Sequence, residues 1–461
     1  MWMNGAVGDF WQGLPHRRVC RGFLIQINTA VIATIRLAPV VCIEQGFAGA
    51  NPKPLTECSM TDRSQPLLLV LNTGSSSIKF SLYNAAAPAT SGPQCLGNGS
   101  FEVRKDTERL IFQNTGSAAQ KHEEWPRNDA SPDSGTLSNL LDWIERHADG
   151  QICAAAHRVV HGGRRTQVAA RVDAALMADM QALVALAPLH QPLCLAPMSY
   201  LSREHSGLVQ FACFDTAFHH SLDALETGFG LPASLTVQGL RRYGFHGLSY
   251  EYIASVLAHY DQRAAEGRTI VAHLGNGASL CGMHNRVSRG TTMGFSTLDG
   301  VLMGTRPGRL DPGVLLYLMR EHGMSAQALE HLLYHECGLL GVSGGISSDM
   351  RELSASQAPE AREAIALFVR SVVREIGSLA AILGGVDALV FTGGIGEHAT
   401  EVRNAILDGC AWLGLKRDRA VATQSAPRLT LPDSAVSAWT IATDESAVIA
   451  RHALKLLHNC T

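Results

Sequence analysis

Apolar positions recur in this chain with two different periods. In residues 67–83 an unbroken run, LLLVL, is followed by NTGSSS and then by alternation, with Ile78, Phe80 and Leu82 separated by Lys79 and Ser81. A run bounded by turn residues reads as a buried strand and strict alternation as a half-buried one, so the segment predicts a hairpin. Residues 269–283, TIVAHLGNGASLCGM, show the same grammar without repeating the sequence. A helical period governs 136–147, where Leu137, Leu140, Leu141 and Ile144 share a face, and the amphipathic stretch that ends at Gly384-Gly385. A short apolar strand then ends in a third glycine-rich turn, and a helix from Glu445 to His458 closes the chain. Residues 84–133, rich in Ala, Pro, Ser, Gly and Asn, are expected to be long loops. Together these elements predict an α/β protein with two similar domains facing each other across a cleft, where small ligands usually bind.

The totals narrow the partners. A chain of 461 residues, 46% apolar and 17% charged, is ordinary for a folded soluble protein of two or three domains. A formal net charge of −3 gives no general attraction for nucleic acid or membrane, so any anion must be held by local Arg, Lys or backbone N–H groups. Small molecules are the expected partners. The 11 cysteines stand singly, without C-x-x-C or a Cys/His cluster at zinc spacing, which argues against a disulfide framework or structural metal and fits a cytoplasmic location. The most apolar stretch, GFLIQINTAVIATIRLAPVVCI, is interrupted by Asn28 and Arg36 and does not read as a membrane span. Residues 1–59 show no sustained period, so residues 1–64 are expected to be an extension outside the fold, with Met60 a possible true start.

Neither a P-loop nor a complete G-x-G-x-x-G occurs. Three other turns follow apolar strands: NTGSSS (72–77), HLGNGAS (273–279) and TGGIGEH (392–398). Small residues let backbone N–H groups approach an anion closely, and one such turn is more often an ordinary hairpin, but three in one chain point to a nucleotide. In the first, the Ser75 and Ser77 hydroxyls can donate to phosphate oxygens. Lys79 reads equally well as a phosphate cation or as a solvated strand residue.

The segments VLNTGSSSIKFSLY, AHRVVHGG, LAPLHQP, CFDTAFHHSL, RRYGFHGLSYEYI, HLGNGASL, GTRPGRLDPG, GGISSDMREL, FTGGIGEH and ATDESAVIAR, in this order, resemble the motif series of the acetate kinase family over residues 67–458. The resemblance implies two ribonuclease-H-like domains of the actin-like ATPase type: residues 65–215 with the C-terminal helix 445–461, and a nucleotide-binding domain of residues 216–444. It also implies reversible, Mg²⁺-dependent transfer of the γ-phosphoryl group of ATP to acetate, with Mn²⁺ able to replace Mg²⁺, and a homodimer.

Residue by residue, the resemblance implies catalytic roles for Asp215, His246 and Arg306. Arg158 matches the other carboxylate or phosphoryl clamp, and Val160, Leu189 and Phe245 the small apolar pocket for the acceptor's methyl. Lys79, His273, Leu274, Gly275, Asn276, Gly277, Asp349, Met350, Arg351, Gly394, Ile395, Gly396, Glu397 and His398 match the ATP-binding segments, Asn72 and Glu445 the magnesium positions, and His190 a further active-site histidine. Taken singly, each arginine would more often be a surface ion-pair residue and His246 a satisfied core histidine. A carboxylate acceptor is already ionised at neutral pH, so no general base is needed and positive charge is. By that reasoning Asp215 suits a role through Mg²⁺ better than proton transfer.

Departures from the family pattern include Thr297 where a pocket proline is usual, His398 where Asn is common, Asp444 and Ser446 around Glu445, and Arg309 in place of an acid. One methylene is worth about 1–3 kcal/mol of discrimination, so propionate or butyrate is an alternative acceptor. A different class, a nucleotide-gated switch of the actin or chaperone kind, would need the three turns but not Arg158, Arg306 and His246.

Overall fold

The computed structural model describes residues 65–74, 77–88, 92–103, 107–126, 132–419 and 427–459. Ser75 and the expected extension 1–64 with Met60 lie outside the described residues. All described residues fall within one compact unit, Lys53–Thr461.

Two sheets organise the chain. The first is built from β1 (Pro66–Thr73), β2 (Ser77–Asn84), β3 (Cys95–Val103), β4 (Thr107–Asn114), β5 (Gln120–Pro126), β6 (Gln151–Val159), β7 (Ala169–Arg171) and β8 (Val209–Phe214), in the order β5-β4-β3-β2-β1-β6-β8-β7. The second comprises β9 (Arg268–Leu274), β10 (Ala278–His284), β11 (Val287–Thr291), β12 (Ala388–Thr392) and β13 (Ser437–Thr440), in the order β11-β10-β9-β12-β13. In both, three antiparallel strands continue into two parallel ones: β3-β2-β1 into β6-β8, and β11-β10-β9 into β12-β13. The shared strand-turn-strand grammar at 67–83 and 269–283 thus belongs to two sheets of one topology, the two-domain actin-like ATPase fold.

The expected hairpins form. Asn72 pairs with Lys79 across the first and Leu274 with Ala278 across the second. Alternation sets burial only in part: Ile78, Phe80 and Leu82 lie in one core and Lys79 is exposed, but Ser81 and Tyr83 on the opposite face are buried as well, Tyr83 against the C-terminal helix cluster, so the expected half-buried strand is corrected to one covered on both faces beyond Lys79. The expected long loops of 84–133 are corrected by β3, β4 and β5. The glycines read as loop residues are there because aromatic rings cross the strand: a Cβ on Gly99 would lie 2.7 Å from the Phe80 ring. Phe80 and Phe112 stack at 5.8 Å over this stretch. Only glycine leaves room for that contact, and composition alone cannot tell it from a flexible turn.

The long helix Pro359–Leu383 stops at Gly384, left-handed at φ 69, and buries Phe368, Val372, Ile376 and Leu379 in the core of the second sheet. The C-terminal helix Glu445–Asn459 returns to the first sheet, where Val448, Ile449 and Leu454 pack with Leu68, Val70 and Phe211. Each of those three buried side chains contributes roughly 1.5–3 kcal/mol. Their packing brings Glu445, the helix's first residue, to the end of β1.

Candidate active site

Neighbouring parallel strands end on the same side of a sheet, so β1, β6 and β8 deliver Asn72, Arg158 and Asp215 to one place. Arg158 donates from Nε and Nη2 to Asp215 Oδ2 at 3.0 and 2.5 Å and from Nη1 to Asn72 Oδ1 at 3.3 Å. Its Nε also lies 3.6 Å from Glu445 Oε2, which accepts from Asn72 Nδ2 at 3.1 Å. Burial opposes the Arg158 charge, but Asp215 and Glu445 hold its pKa above the usual arginine range. Burial pushes the Asp215 carboxyl up to about 6 against the pull of Arg158, with Glu445 adding to the rise. Asp215 Oδ1 is buried with no hydrogen-bond partner. An orphaned carboxylate oxygen beside a second carboxylate and an amide is a donor set suited to Mg²⁺, which takes one or two protein carboxylates and completes its shell with water and phosphate.

The second wall differs in charge. His246 precedes helix Gly247–Tyr260 and sits left-handed at φ 58, a conformation that costs a non-glycine residue of order 1–3 kcal/mol and is tolerated mostly at functional sites. Its Nδ1 lies 2.8 Å from Ser279 Oγ, and its ring stacks on His273 at 4.4 Å. His273 in turn meets Ser249 Oγ at 2.8 Å. Burial lowers the pKa of both histidines, so both are neutral near pH 7. Arg306 donates from Nη1 to the Thr297 carbonyl at 2.9 Å. Its Nη2 lies over Gly277, where a Cβ would come within 2.7 Å of Nη2 and 3.7 Å of His246 Nε2. Among the described residues no carboxylate lies within ion-pair distance of Arg306, and burial lowers its pKa to about 10. A half-buried cation without a counterion is an open site for an anionic ligand.

The two walls share a cavity of about 580 Å³ lined by Asn72, Arg158, His246, His273, Glu445 and Lys79, together with Gly275, Asn276, Gly277, Gly394 and Glu397. Lys79 is therefore both an exposed strand residue and part of the cavity wall, and Ser77 lines it too. The charges of both arginines lower the pKa of His190 and of His246. Burial pushes His190 down to about 4, with Arg306 and Arg158 pushing the same way.

A second cavity of about 610 Å³ meets the first at Gly275, Asn276 and Gly394. It is lined by Asp349, Met350, Arg351, Ile395 and His398. Arg351 is exposed and paired with Asp349 at 2.6 Å. Leu274 and Gly396 are buried behind these surfaces. Val160 and Phe245 share a buried apolar cluster, whereas Leu189 is only half-buried and is not part of it.

The third glycine turn opens the short helix Gly393–His398 rather than a hairpin, because the next strand of the sheet, β13, runs parallel to β12 and is reached only at Ser437. Arg309, without a rationale in the sequence, lies 3.8 Å from Glu375 of the long helix in a pair whose arginine is exposed and whose carboxylate is largely covered. Sequence reasoning missed Ser249, Ser279 and Tyr250, whose hydroxyls meet the two histidines or each other. The available signal was Ser279, a fully buried hydroxyl inside the apolar run of β10.

With this geometry in hand, a sequence model of the acetokinase family matches residues 67–451. An acetate kinase of Rhodopseudomonas palustris (strain TIE-1) is 50% identical over 394 residues, covering 85% of this chain and 98% of the relative. An acetate kinase of Nitrobacter hamburgensis is 42% identical over 390 residues, covering 85% and 96%. Among solved structures, a propionate kinase from Francisella tularensis superposes with a TM-score of 0.75 at 32% identity, covering 84% of this chain and 98% of that one. An acetate kinase from Porphyromonas gingivalis gives 0.74 at 30%, covering 85% and 100%.

Proposed function

The chain belongs to the acetokinase family, and from that premise we propose that it transfers the γ-phosphoryl group of ATP reversibly to acetate, giving acetyl phosphate and ADP. The observation that carries this reading is Arg306, a half-buried guanidinium with no carboxylate partner among the described residues, whose Nη2 lies over Gly277 in the wall of the cavity that Arg158 lines. Two negatively charged reactants repel, and paired guanidinium forks lower that repulsion while holding carboxylate or phosphoryl oxygens in two hydrogen bonds each.

Acetate arrives ionised, so its oxygen attacks phosphorus directly and no protein group removes a proton. Neutral His246, fixed through Nδ1 by Ser279, offers Nε2 to the transferring oxygens. The turn Gly275 to Gly277 and Lys79 support the phosphates, and the cavity at 349–351 and 394–398 suits the nucleoside. Asp215, Glu445 and Asn72 would hold Mg²⁺, which neutralises charge on the β- and γ-phosphates when bound. Residues 65–215 with the C-terminal helix form one domain of this machine and 216–444 the other, and closure between them keeps water from the acyl phosphate.

The experiment is trapping of acyl phosphate as hydroxamate from ATP with acetate, propionate or butyrate. Signal with acetate is expected. Nucleotide binding without hydroxamate from any acid would defeat the proposal and favour a nucleotide switch. Propionate remains a second acceptor on one observation, the buried Thr297 at the Arg306 contact.

The same reading includes a homodimer and a cytoplasmic location. Helix Pro312–Glu321 has no buried residue and leaves Leu316 56%, Tyr317 53% and Met319 45% exposed, an apolar surface suited to a partner copy. Free cysteines and the absence, among the described residues, of a helix long and apolar enough to cross a membrane are compatible with the location.

A further inference from the structure

Two buried hydroxyls form a chain that ends on the ring of His246. Nδ1 of the ring lies 2.8 Å from Ser279 Oγ on β10, and Ser279 Oγ in turn meets the phenol oxygen of Tyr250 at 2.5 Å. Tyr250 stands one turn beyond His246 on helix Gly247–Tyr260, and its backbone N–H donates to the His246 carbonyl at 3.1 Å. Tyrosine and serine are both fully buried, and the tyrosine ring packs edge-on to His219 at 5.7 Å. The other ring nitrogen, Nε2, lies beside Gly277 in the wall of the cavity that holds Arg158. Neither Tyr250 nor Ser279 lines that cavity, so each can act on it only through the ring.

Counting protons gives this chain a direction. Among the described residues the phenol has no hydrogen-bond partner but Ser279 Oγ, and Ser279 Oγ has none but the phenol and His246 Nδ1. Burial keeps the phenol protonated and the imidazole neutral, so the three groups carry two hydroxyl protons and one ring proton. If the phenol donates to Ser279 and Ser279 donates to Nδ1, both hydroxyl protons are used and the ring proton falls on Nε2. Were Nδ1 to carry the proton and donate to Ser279, one of the two hydroxyl protons would be left in the core without an acceptor. A stranded buried donor costs more than a typical hydrogen bond contributes, which decides between the two arrangements.

We propose that Tyr250, acting through Ser279, is a positioning residue that fixes His246 with its proton on Nε2, so that the transferring oxygens meet an N–H donor rather than a lone pair. The kinetic consequence rests on the phosphoryl-transfer reading, whereas the tautomer rests on the hydrogen-bond geometry and the donor count.

Nitrogen-15 spectra of the histidine rings in the full chain read the tautomer without turnover, with His246 identified by the signals lost in His246→Gln. The wild type is expected to show a protonated Nε2 and an Nδ1 that accepts a hydrogen bond; a proton on Nδ1 would overturn the proposal. Tyr250→Phe removes the phenol oxygen and keeps the ring. It is expected to move the Nδ1 signal toward that of a nitrogen without a hydrogen bond, because Ser279 loses the donor that polarises it. It should also lower kcat for acyl phosphate formation about fivefold, the size of one neutral hydrogen bond, with KM for ATP unchanged within about twofold. In a Ser279→Ala background the same substitution is expected to cost less than about twofold, because the link to the ring is gone. Equal losses of kcat in both backgrounds, which a purely structural tyrosine gives, would overturn the proposal, and so would an unmoved Nδ1 signal. Ser279→Ala on its own must move that signal too, which keeps the test decisive should Tyr250→Phe fail to fold. If the wild type forms no acyl phosphate while His246 still carries its proton on Nε2, the transfer reading fails and the tautomer assignment stands.

Discussion

The cleft wall built from the first sheet carries its own counterions, whereas the wall built from the second presents a guanidinium that has none within ion-pair reach among the described residues. Arg158 is held by Asp215, Glu445 and Asn72, a network that forms without ligand and leaves Asp215 Oδ1 unpartnered. Arg306 donates to a carbonyl and lies over a glycine turn that a neutral histidine also approaches. The difference lies in what each arginine waits for. A buried ion pair roughly offsets its own desolvation and holds geometry, while an unpaired buried cation is left for a ligand's negative charge. On this comparison the first wall is preassembled, and the second completes its electrostatics only when substrate binds.

Removing each arginine should break the symmetry in opposite ways. Arg306→Ala is expected to lower turnover by about a thousandfold or more, as loss of a transition-state guanidinium does, and to leave ADP affinity nearly unchanged. Its thermal midpoint should hold or rise, because a half-buried charge with no counterion among the described residues is lost. Hydroxamate rates, ADP calorimetry and a melting curve on one preparation decide it; a comparable loss of ADP affinity would show that Arg306 is misplaced here. Arg158→Ala, by contrast, strands Asp215 and Glu445 and is expected to cost about 3–5 kcal/mol of stability in urea titration in addition to activity.

Acid tests the neutral side of the comparison. His157, His161, His190 and His219 are pushed down to about 4 by burial. Each contributes stability that is present above the unfolded value of about 6.5 and is lost as pH falls toward 4, since the unfolded chain takes up protons that the folded chain refuses. Asp215, pushed up to about 6, has the opposite sign: its contribution is present below about 4 and is lost as pH rises through 6. Four histidines outweigh one aspartate, so the melting temperature should fall as pH drops from about 6.5 to 4.5. A flat profile would mean these rings are not neutral in the fold. The smallest expected effect is that of Lys79→Ala, a rise of a few fold in KM for ATP with kcat nearly unchanged, because an exposed ammonium is screened by water and salt.

Much of the site was readable locally. Glycine turns after apolar strands are legible because backbone can approach an anion only where side chains are small, and both hairpins lie where alternation puts them. The extended strands between 95 and 126 were not legible, because glycines that make room for Phe80 look like loop glycines until the ring is seen. Nor could spacing show that Asn72 and Glu445, 373 positions apart, share a hydrogen bond. Arg309 acquired its account only when the long helix brought Glu375 alongside.

By itself the sequence determined the alternation of strands and helices, the three glycine segments and the identity of the charged residues, since these depend on residue type and short-range period. The tertiary structure decided which arginine is neutralised and which is left bare, because electrostatic state depends on burial and on partners brought together from distant parts of the chain. Arg158 and Arg306 are the same residue type in similar glycine-flanked settings, and only packing gives one carboxylate neighbours at the cavity wall and leaves the other with none among the described residues.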